Sequence, residues 1–236
     1  IEADAVIANA DASLIYNVLI KGKIRKIKKV RKNIAKADPS LAGFSLLLGM
    51  RKDGSEPLNH HTVLFPKDYD AEFDAIFSYK QPVSEPTIYI CAPGDEAMSK
   101  DELLEGWFVL VNAPAHGQES FDWNDAEFAR KYANTIIDQI EARGISVRSR
   151  LESITIRTPA DLESAVRAPG GSIYGTSSNG ARAAFMRAKN RSPIKGLYCV
   201  GGSAHPGGGL PLVGLSAEMV ANAIGSAQSG QPLKSH

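Results

Sequence analysis

The chain has 236 residues, 43% of them hydrophobic, and a net charge of +1. That content suffices for one large or two modest cores, and the near-neutral charge excludes a nucleic-acid protein, because tracking phosphates needs a strongly basic face. No run approaches the roughly 18 apolar residues of a membrane-crossing helix and no secretory signal is visible, so a cytoplasmic protein is expected.

In chain order, branched and aromatic residues between turn signals predict strands at residues 5–8, 44–50, 62–65, 87–91, 107–112, 151–157 and 197–200. Between the first two lies a stretch, 21–36, with nine basic residues. Ile24, Ile27, Val30 and Ile34 recur there at helical spacing, which predicts an amphipathic helix with a cationic outer face. Such a face is either a solvated cover or a contact for anionic lipid headgroups. A helix at 70–78 is expected to bury Phe73, Ile76 and Phe77. A second, at 125–143, places Phe128, Tyr132, Ile136 and Ile140 on one stripe, with Asn124 as its cap, Glu127 at the box position and Gly144 as its stop. Thr158, Pro159 and Asp161 start a short helix ending near Pro169. The last helix, at about 213–227, turns Val220, Ala223, Ile224 and Ala227 inward.

The most informative segment runs from Gly196 to Ala217. A short apolar strand enters a loop containing Gly201, Gly202, Gly207, Gly208 and Gly209, and a helix follows. Bare backbone permits close approach of a ligand, and a helix start offers unpaired N–H groups and the positive end of its dipole. Asn9 and Asp11 follow the first strand at its C-terminal end, where open α/β sheets collect ligands, although capping of the next turn is the plainer reading. His205 beside Pro206 reads either as a prop for the loop or as a residue next to a cofactor.

Other candidates carry less. Cys91 and Cys199 lie in apolar runs and read as small core residues rather than as a disulfide or a nucleophile. No metal site is expected: His60 and His61 are adjacent on a predicted strand and point to opposite faces, while Cys91 and His116 lack ligand spacing. Phe44, Leu46, Leu48, Tyr89, Trp107 and Phe108 suit an apolar channel, yet such strand residues are ordinary core far more often. No catalytic acid or base is assigned.

The string Val200, Gly201, Gly202, His205 to Gly209, Pro211, Val213, Ser216 and Ala217 resembles the C-terminal flavin-contacting motif of the phytoene desaturase family, the FAD-dependent carotenoid desaturases and their relatives. Further blocks are similar in the family's order: residues 4–11, 58–65 with Asp68 and Tyr69, 85–90, 107–114, 158–162 and 170–175. The basic stretch 21–36 and segment 94–105 depart from the pattern. The resemblance implies FAD as cofactor, held by Asn9, Asp11, Gly201, Gly202, His205, Pro206, Gly207, Gly208, Gly209, Leu212, Val213 and Ser216. It also implies a lipophilic polyene as substrate, approached at a membrane surface.

The fold expected is α/β (α+β). Residues 1–14 and 186–236 would form part of a Rossmann-like FAD-binding domain, and 15–185 a mixed-sheet substrate domain with covering helices. The chain has no Gly-x-Gly-x-x-Gly turn for the FAD pyrophosphate and begins at Ile1, so it is read as roughly the C-terminal half of a longer protein, inactive and nearly flavin-free by itself. Within the superfamily, an isomerase, a retinol saturase-like enzyme or an oxidase remains open, and outside it a non-catalytic binding module.

Overall fold

Alternation of apolar and polar residues over residues 42–51 and 104–113 produces two long strands that together organise half of the molecule. The computed structural model describes residues 2–36, 40–54, 56–94, 101, 103–117, 119–175 and 187–225. Two compact units are present: unit 1 comprises Ile1–Ser40 with Val166–His236, and unit 2 comprises Leu41–Ala165. Strands and helices occur in both, so the protein is of mixed α/β class, with a parallel pair in one unit and a five-stranded antiparallel sheet in the other.

In unit 2 the strands are β2 (Ala42–Arg51), β3 (His61–Leu64), β4 (Ile88–Cys91), β5 (Leu104–Ala113) and β6 (Leu151–Arg157), in the order β3-β4-β5-β2-β6. Every pairing is antiparallel, where a mixed sheet was expected. Although the β3–β4 and β5–β6 connections are long and carry helices, each returns the chain antiparallel beside its neighbour, so no parallel crossover unit forms among the described strands. The β2–β5 register sets Phe44 opposite Val111, Leu46 opposite Val109 and Leu48 opposite Trp107. All six are buried, together with Met50, Ile88 and Ile90. Helix α3 (Ala126–Glu141) lays Ala129, Tyr132, Ala133, Ile136, Ile137 and Ile140 into the same core. Each large side chain so buried contributes about 1.5–3 kcal/mol.

The period of two sends the intervening residues to the other face of the sheet. Leu47 pairs with Phe108, and Tyr89 with Leu110. Of the six residues considered for a channel, Phe44, Leu46, Leu48 and Trp107 are therefore core, while Tyr89 and Phe108 lie opposite, beside Leu47, which is 43% exposed.

Several local expectations shift. The cap of α3 is Asp125, whose carboxylate accepts from the Glu127 and Phe128 amides at 2.8 and 3.0 Å, whereas Asn124 donates to Asp122. Helix α4 (Pro159–Val166) is closed by a reciprocal box: Thr158 N donates to Asp161, and Asp161 N to the Thr158 hydroxyl. Helix α2 (Asp70–Phe73) widens into a π-type turn at Asp74–Tyr79 and buries Ile76, but Phe73 and Phe77 are 37% and 36% exposed. The inward place belongs to Glu72. Its carboxylate accepts from Thr87 N, the Thr87 hydroxyl and the Asn112 amide, at 2.9, 2.6 and 2.8 Å. Phe73 and Phe77 instead extend an outward aromatic ladder with Tyr69 and Phe65.

In unit 1 the basic stretch is helical only from a 3-10 turn at Arg25–Ile27 into α1 (Lys28–Lys36). Gly22, at φ 87°, separates it from a π-type turn at Leu14–Leu19. Ile24, Ile27, Val30 and Ile34 pack with Ile15 and Tyr16, the contact expected of a cover helix. Residues 15–40 thus belong to the compact unit of the chain start, although residues from 15 onward were expected in the other domain. Arg31 donates to the carbonyls of Tyr16, Ile20 and Gly22, ending the turn before it. No described helix is long and apolar enough to cross a membrane. Segment 94–105 is described only at residues 94, 101 and 103–105, and Ala227 lies outside the described residues.

The Tyr132 phenol is held above its ordinary range by burial and then by the neighbouring carboxyl group of Glu72. Replacing it by Ala strands three donors. Glu72→Ala is expected to destabilise unit 2 by about 2–4 kcal/mol, read from the midpoint of urea unfolding.

Candidate functional site

In unit 1, strand β1 (Val6–Ala8) and strand β7 (Leu197–Cys199) form a parallel pair with Val6 opposite Leu197, Ile7 opposite Tyr198 and Ala8 opposite Cys199. The pairing continues at both ends, from Val6 N to Gly196 O and from Val200 N to Ala8 O. The two C-terminal ends therefore emerge side by side. Beyond β1 the chain turns through Asn9 to Ala12. Beyond β7 it runs through the glycine-rich loop into helix α5 (Leu210–Ile224).

The two turns are tied together. The Ser203 hydroxyl accepts from Ala12 N at 2.9 Å and donates to Ala10 O at 3.3 Å. Gly201 has φ 105°, and a Cβ placed there would stand 2.4 Å from Asn9 Oδ1, so close approach as well as backbone conformation requires glycine. Ser216, in α5, is fully buried. Its hydroxyl accepts from Gly201 N at 3.2 Å and from Asn190 Nδ2 at 2.9 Å. Asn190 Nδ2 also reaches the carbonyls of Cys199 and His205. Strand end, loop and helix are thus joined through one hydroxyl and one amide.

The loop glycines divide by role. Gly202 and Gly208 approach each other, Gly208 leaves no room for a Cβ beside Tyr174, and Gly207 is buried near the Arg187 guanidinium. Gly209 differs: it has φ 96° and faces open space. It precedes α5, which starts at Leu210 rather than near 213, with Pro211 in its first turn. Among the described residues no side chain caps this start, no acidic residue lies in the first turn, and Leu210 is 89% exposed. The helix therefore presents its positive end to the surroundings.

Of the residues expected to hold a cofactor, Asn9, Gly201 and Gly202 are brought together at the strand ends, and Gly209, Leu212 and Val213 at the helix start. His205 is exposed, joined to Pro206 by a cis peptide bond. Asp11 caps its own turn by accepting from Ser13 N at 2.8 Å. Ser216 faces inward and supports the loop. Cys199 is buried against the Tyr16 hydroxyl, and burial raises both their pKa values, leaving an unreactive thiol.

Sequence reasoning passed over the segment before β7. Arg187, Lys189, Asn190 and Arg191 line, with His205, a cleft of about 410 Å³. Arg187 donates to Tyr174 O and Gly202 O, both at 2.9 Å, and burial lowers its pKa. The run of three basic residues within five positions was the available signal.

Cys91 also departs from expectation. On β4 only Ile88 and Ile90 point into the core, while Cys91 is half-buried on the other face, opposite His61.

A parallel strand pair whose ends lead into a tight glycine loop and a helix start defines the class, an α/β protein. No protein-family profile matches the chain. Individual relatives do. It is 32% identical over 227 residues to hydroxyneurosporene desaturase of Rubrivivax gelatinosus, covering 95% of this chain and 42% of the relative. It is 33% identical over 228 residues to the zeta-carotene-forming phytoene desaturase of Myxococcus xanthus, covering 93% and 42%. Similarity to 4,4'-diaponeurosporene oxygenase of Staphylococcus aureus is 27% over 232 residues, covering 97% and 45%. The chain belongs to the carotenoid and phytoene desaturase family, as the motif at 200–217 implied. It spans less than half the length of the curated relatives it matches.

Ser216→Ala removes the shared acceptor of Gly201 N and Asn190. It is expected to destabilise unit 1 by about 1–3 kcal/mol, seen as a lower urea midpoint for loss of Tyr16 hydrogen-exchange protection while Trp123 fluorescence in unit 2 is unchanged.

Proposed function

We propose that the protein containing this chain is an FAD-dependent oxidoreductase that dehydrogenates a long isoprenoid polyene. In this reading unit 1 is part of a Rossmann-like flavin-binding domain and unit 2 is the substrate domain. The observation that carries it is the open start of α5 at Gly209, which follows a loop tied through Ser203 to the turn after β1, in a chain homologous to carotenoid desaturases.

The residues fit the group. A helix start without acidic residues suits pyrophosphate or flavin oxygens, and the Arg187 guanidinium beside Gly207 adds positive charge to the loop before it. Gly209, Leu212, Val213 and His205 are the residues that would touch it, with Ser216, Ser203 and Asn190 holding them in place. FAD, when bound, would supply the acceptor for the hydride that carries both electrons from the polyene, and the second hydrogen would leave as a proton. The chain's own part is to position and to exclude water. On the face of the unit 2 sheet opposite its core, Leu47, Phe108, Leu110 and Tyr89 offer apolar surface for a polyene. No side chain is assigned as acid or base.

The likeness to a diaponeurosporene oxygenase supports a second reading, oxidation of the polyene at a terminal methyl. Pigment analysis separates the two. Expressed as the full-length protein in a carotenoid-producing host, the first reading expects a product with a longer conjugated system, and the second an oxygenated one. Unchanged pigment contradicts both. Gly209→Val should reduce copurifying flavin by about tenfold or more, the equivalent of about 1.4 kcal/mol, with circular dichroism unchanged. Undiminished flavin would exclude Gly209 from the cofactor site.

A water-insoluble substrate has to be collected from lipid, and the reading extends to a peripheral contact through the exposed Lys28, Lys29, Lys32 and Lys36 of α1. Binding to anionic vesicles should weaken with salt. Replacing Lys28, Lys29 and Lys32 by Glu should lower it about a hundredfold or more, at about 1 kcal/mol per basic residue lost. Equal, negligible sedimentation with neutral and anionic vesicles would rule the contact out.

A further inference from the structure

We infer that His60, His61 and Cys91 form a binding site for a zinc-class divalent cation, clipping the edge strand of the unit 2 sheet to its neighbour. One potential ligand atom from each residue lies within 4.8 Å of the other two.

The sheet register brings them together. His61 opens β3 and stands directly opposite Cys91, the last residue of β4, so both side chains leave the same face. The objection that adjacent strand residues diverge does not apply to His60, which lies before the first paired position. Its carbonyl accepts from Ala92 N at 2.9 Å, pinning its backbone to the far side of Cys91. The two imidazoles are thereby left side by side, ring centres 4.4 Å apart.

The donor set is selective. Two imidazoles and a thiolate suit Zn²⁺ and its spectroscopic substitute Co²⁺ rather than Mg²⁺ or Ca²⁺, which take oxygen ligands. Bond lengths of about 2.0–2.3 Å at a tetrahedral centre put ligand atoms about 3.3–3.8 Å apart, so closure requires movements of about 1 Å. Both histidines are exposed and Cys91 is half-buried, which leaves room for that rotation.

An outer partner is already in place. The Tyr89 hydroxyl lies 2.8 Å from His61 Nδ1, leaving Nε2 for the ion. On coordination the Cys91 proton passes to solvent, no electron is transferred, and water completes the fourth position. Among the described residues β3 pairs only with β4, so an ion held by residues of both strands secures that edge. The site is independent of the flavin reading.

The test is titration of the untagged, fully reduced chain with Co²⁺, then with Zn²⁺. One equivalent of Co²⁺ is expected to give a thiolate-to-cobalt charge-transfer band that zinc abolishes, and zinc is expected to raise the melting temperature. Cys91→Ser should lose the band and the thermal shift, Cys199→Ser and His116→Ala should keep both, and Tyr89→Phe should bind about tenfold more weakly. On the unaltered protein, one equivalent of zinc should slow alkylation of Cys91. A band of the same strength in Cys91→Ser, or no band and no protection of Cys91, overturns the site.

Discussion

Gly201 N–H is the first amide of the loop beyond the parallel pair, and the hydroxyl of a buried serine 15 residues further on accepts it. Ser216 simultaneously takes a proton of Asn190, whose amide also reaches the carbonyls of Cys199 and His205. An unmade hydrogen bond at a buried polar group costs more than the bond contributes when made, so these atoms constrain one another strongly. The loop can leave Gly209 open because the rest of it is held from behind. The crevice edge is therefore set by residues that do not themselves face it, and the glycines that look most available in the sequence are largely spent on internal packing.

Unit 2 shows a different constraint, the period of two along a strand. One parity of β2 and β5 builds the core under α3, and the other parity supplies an apolar second face with glycines 49 and 106 paired opposite each other. The same rule carries His61 and Cys91 to that second face, at its edge. Homology to carotenoid desaturases gives the face a natural occupant, a long polyene, and gives the open helix start in unit 1 a natural occupant, a flavin nucleotide. Glu72, the one fully buried carboxylate among the described residues, is spent on Thr87 and Asn112.

All seven strands were legible in the sequence, and β6 was read to its end residues, because clusters of branched residues between turn signals report on local geometry. Helix α3 was equally legible, apart from a one-residue displacement of its cap from Asn124 to Asp125. The glycine-rich loop and its family motif were plain, since both are contiguous. What failed were judgements that need a third dimension. Phe73 and Phe77 have the spacing of a buried stripe, yet the pull of Thr87 and Asn112 on Glu72 rotates them outward. Ser216 has the look of a ligand contact but is a prop. Arg187 offered only the basic run at 187–191 and Asn190 no signal, because their partners lie at Tyr174, in the loop and in α5.

Composition, strand and helix periodicity and the motif at 200–217 belong to the chain as written, because each depends on neighbours a few residues apart. The antiparallel character of the sheet, the union of residues 6–8 with 197–199, the side of the sheet on which Tyr89 and Phe108 fall and the meeting of His60, His61 and Cys91 belong to the folded molecule alone. They depend on which strands pair and in what register, and that is decided by burial summed over the whole core rather than by any local preference.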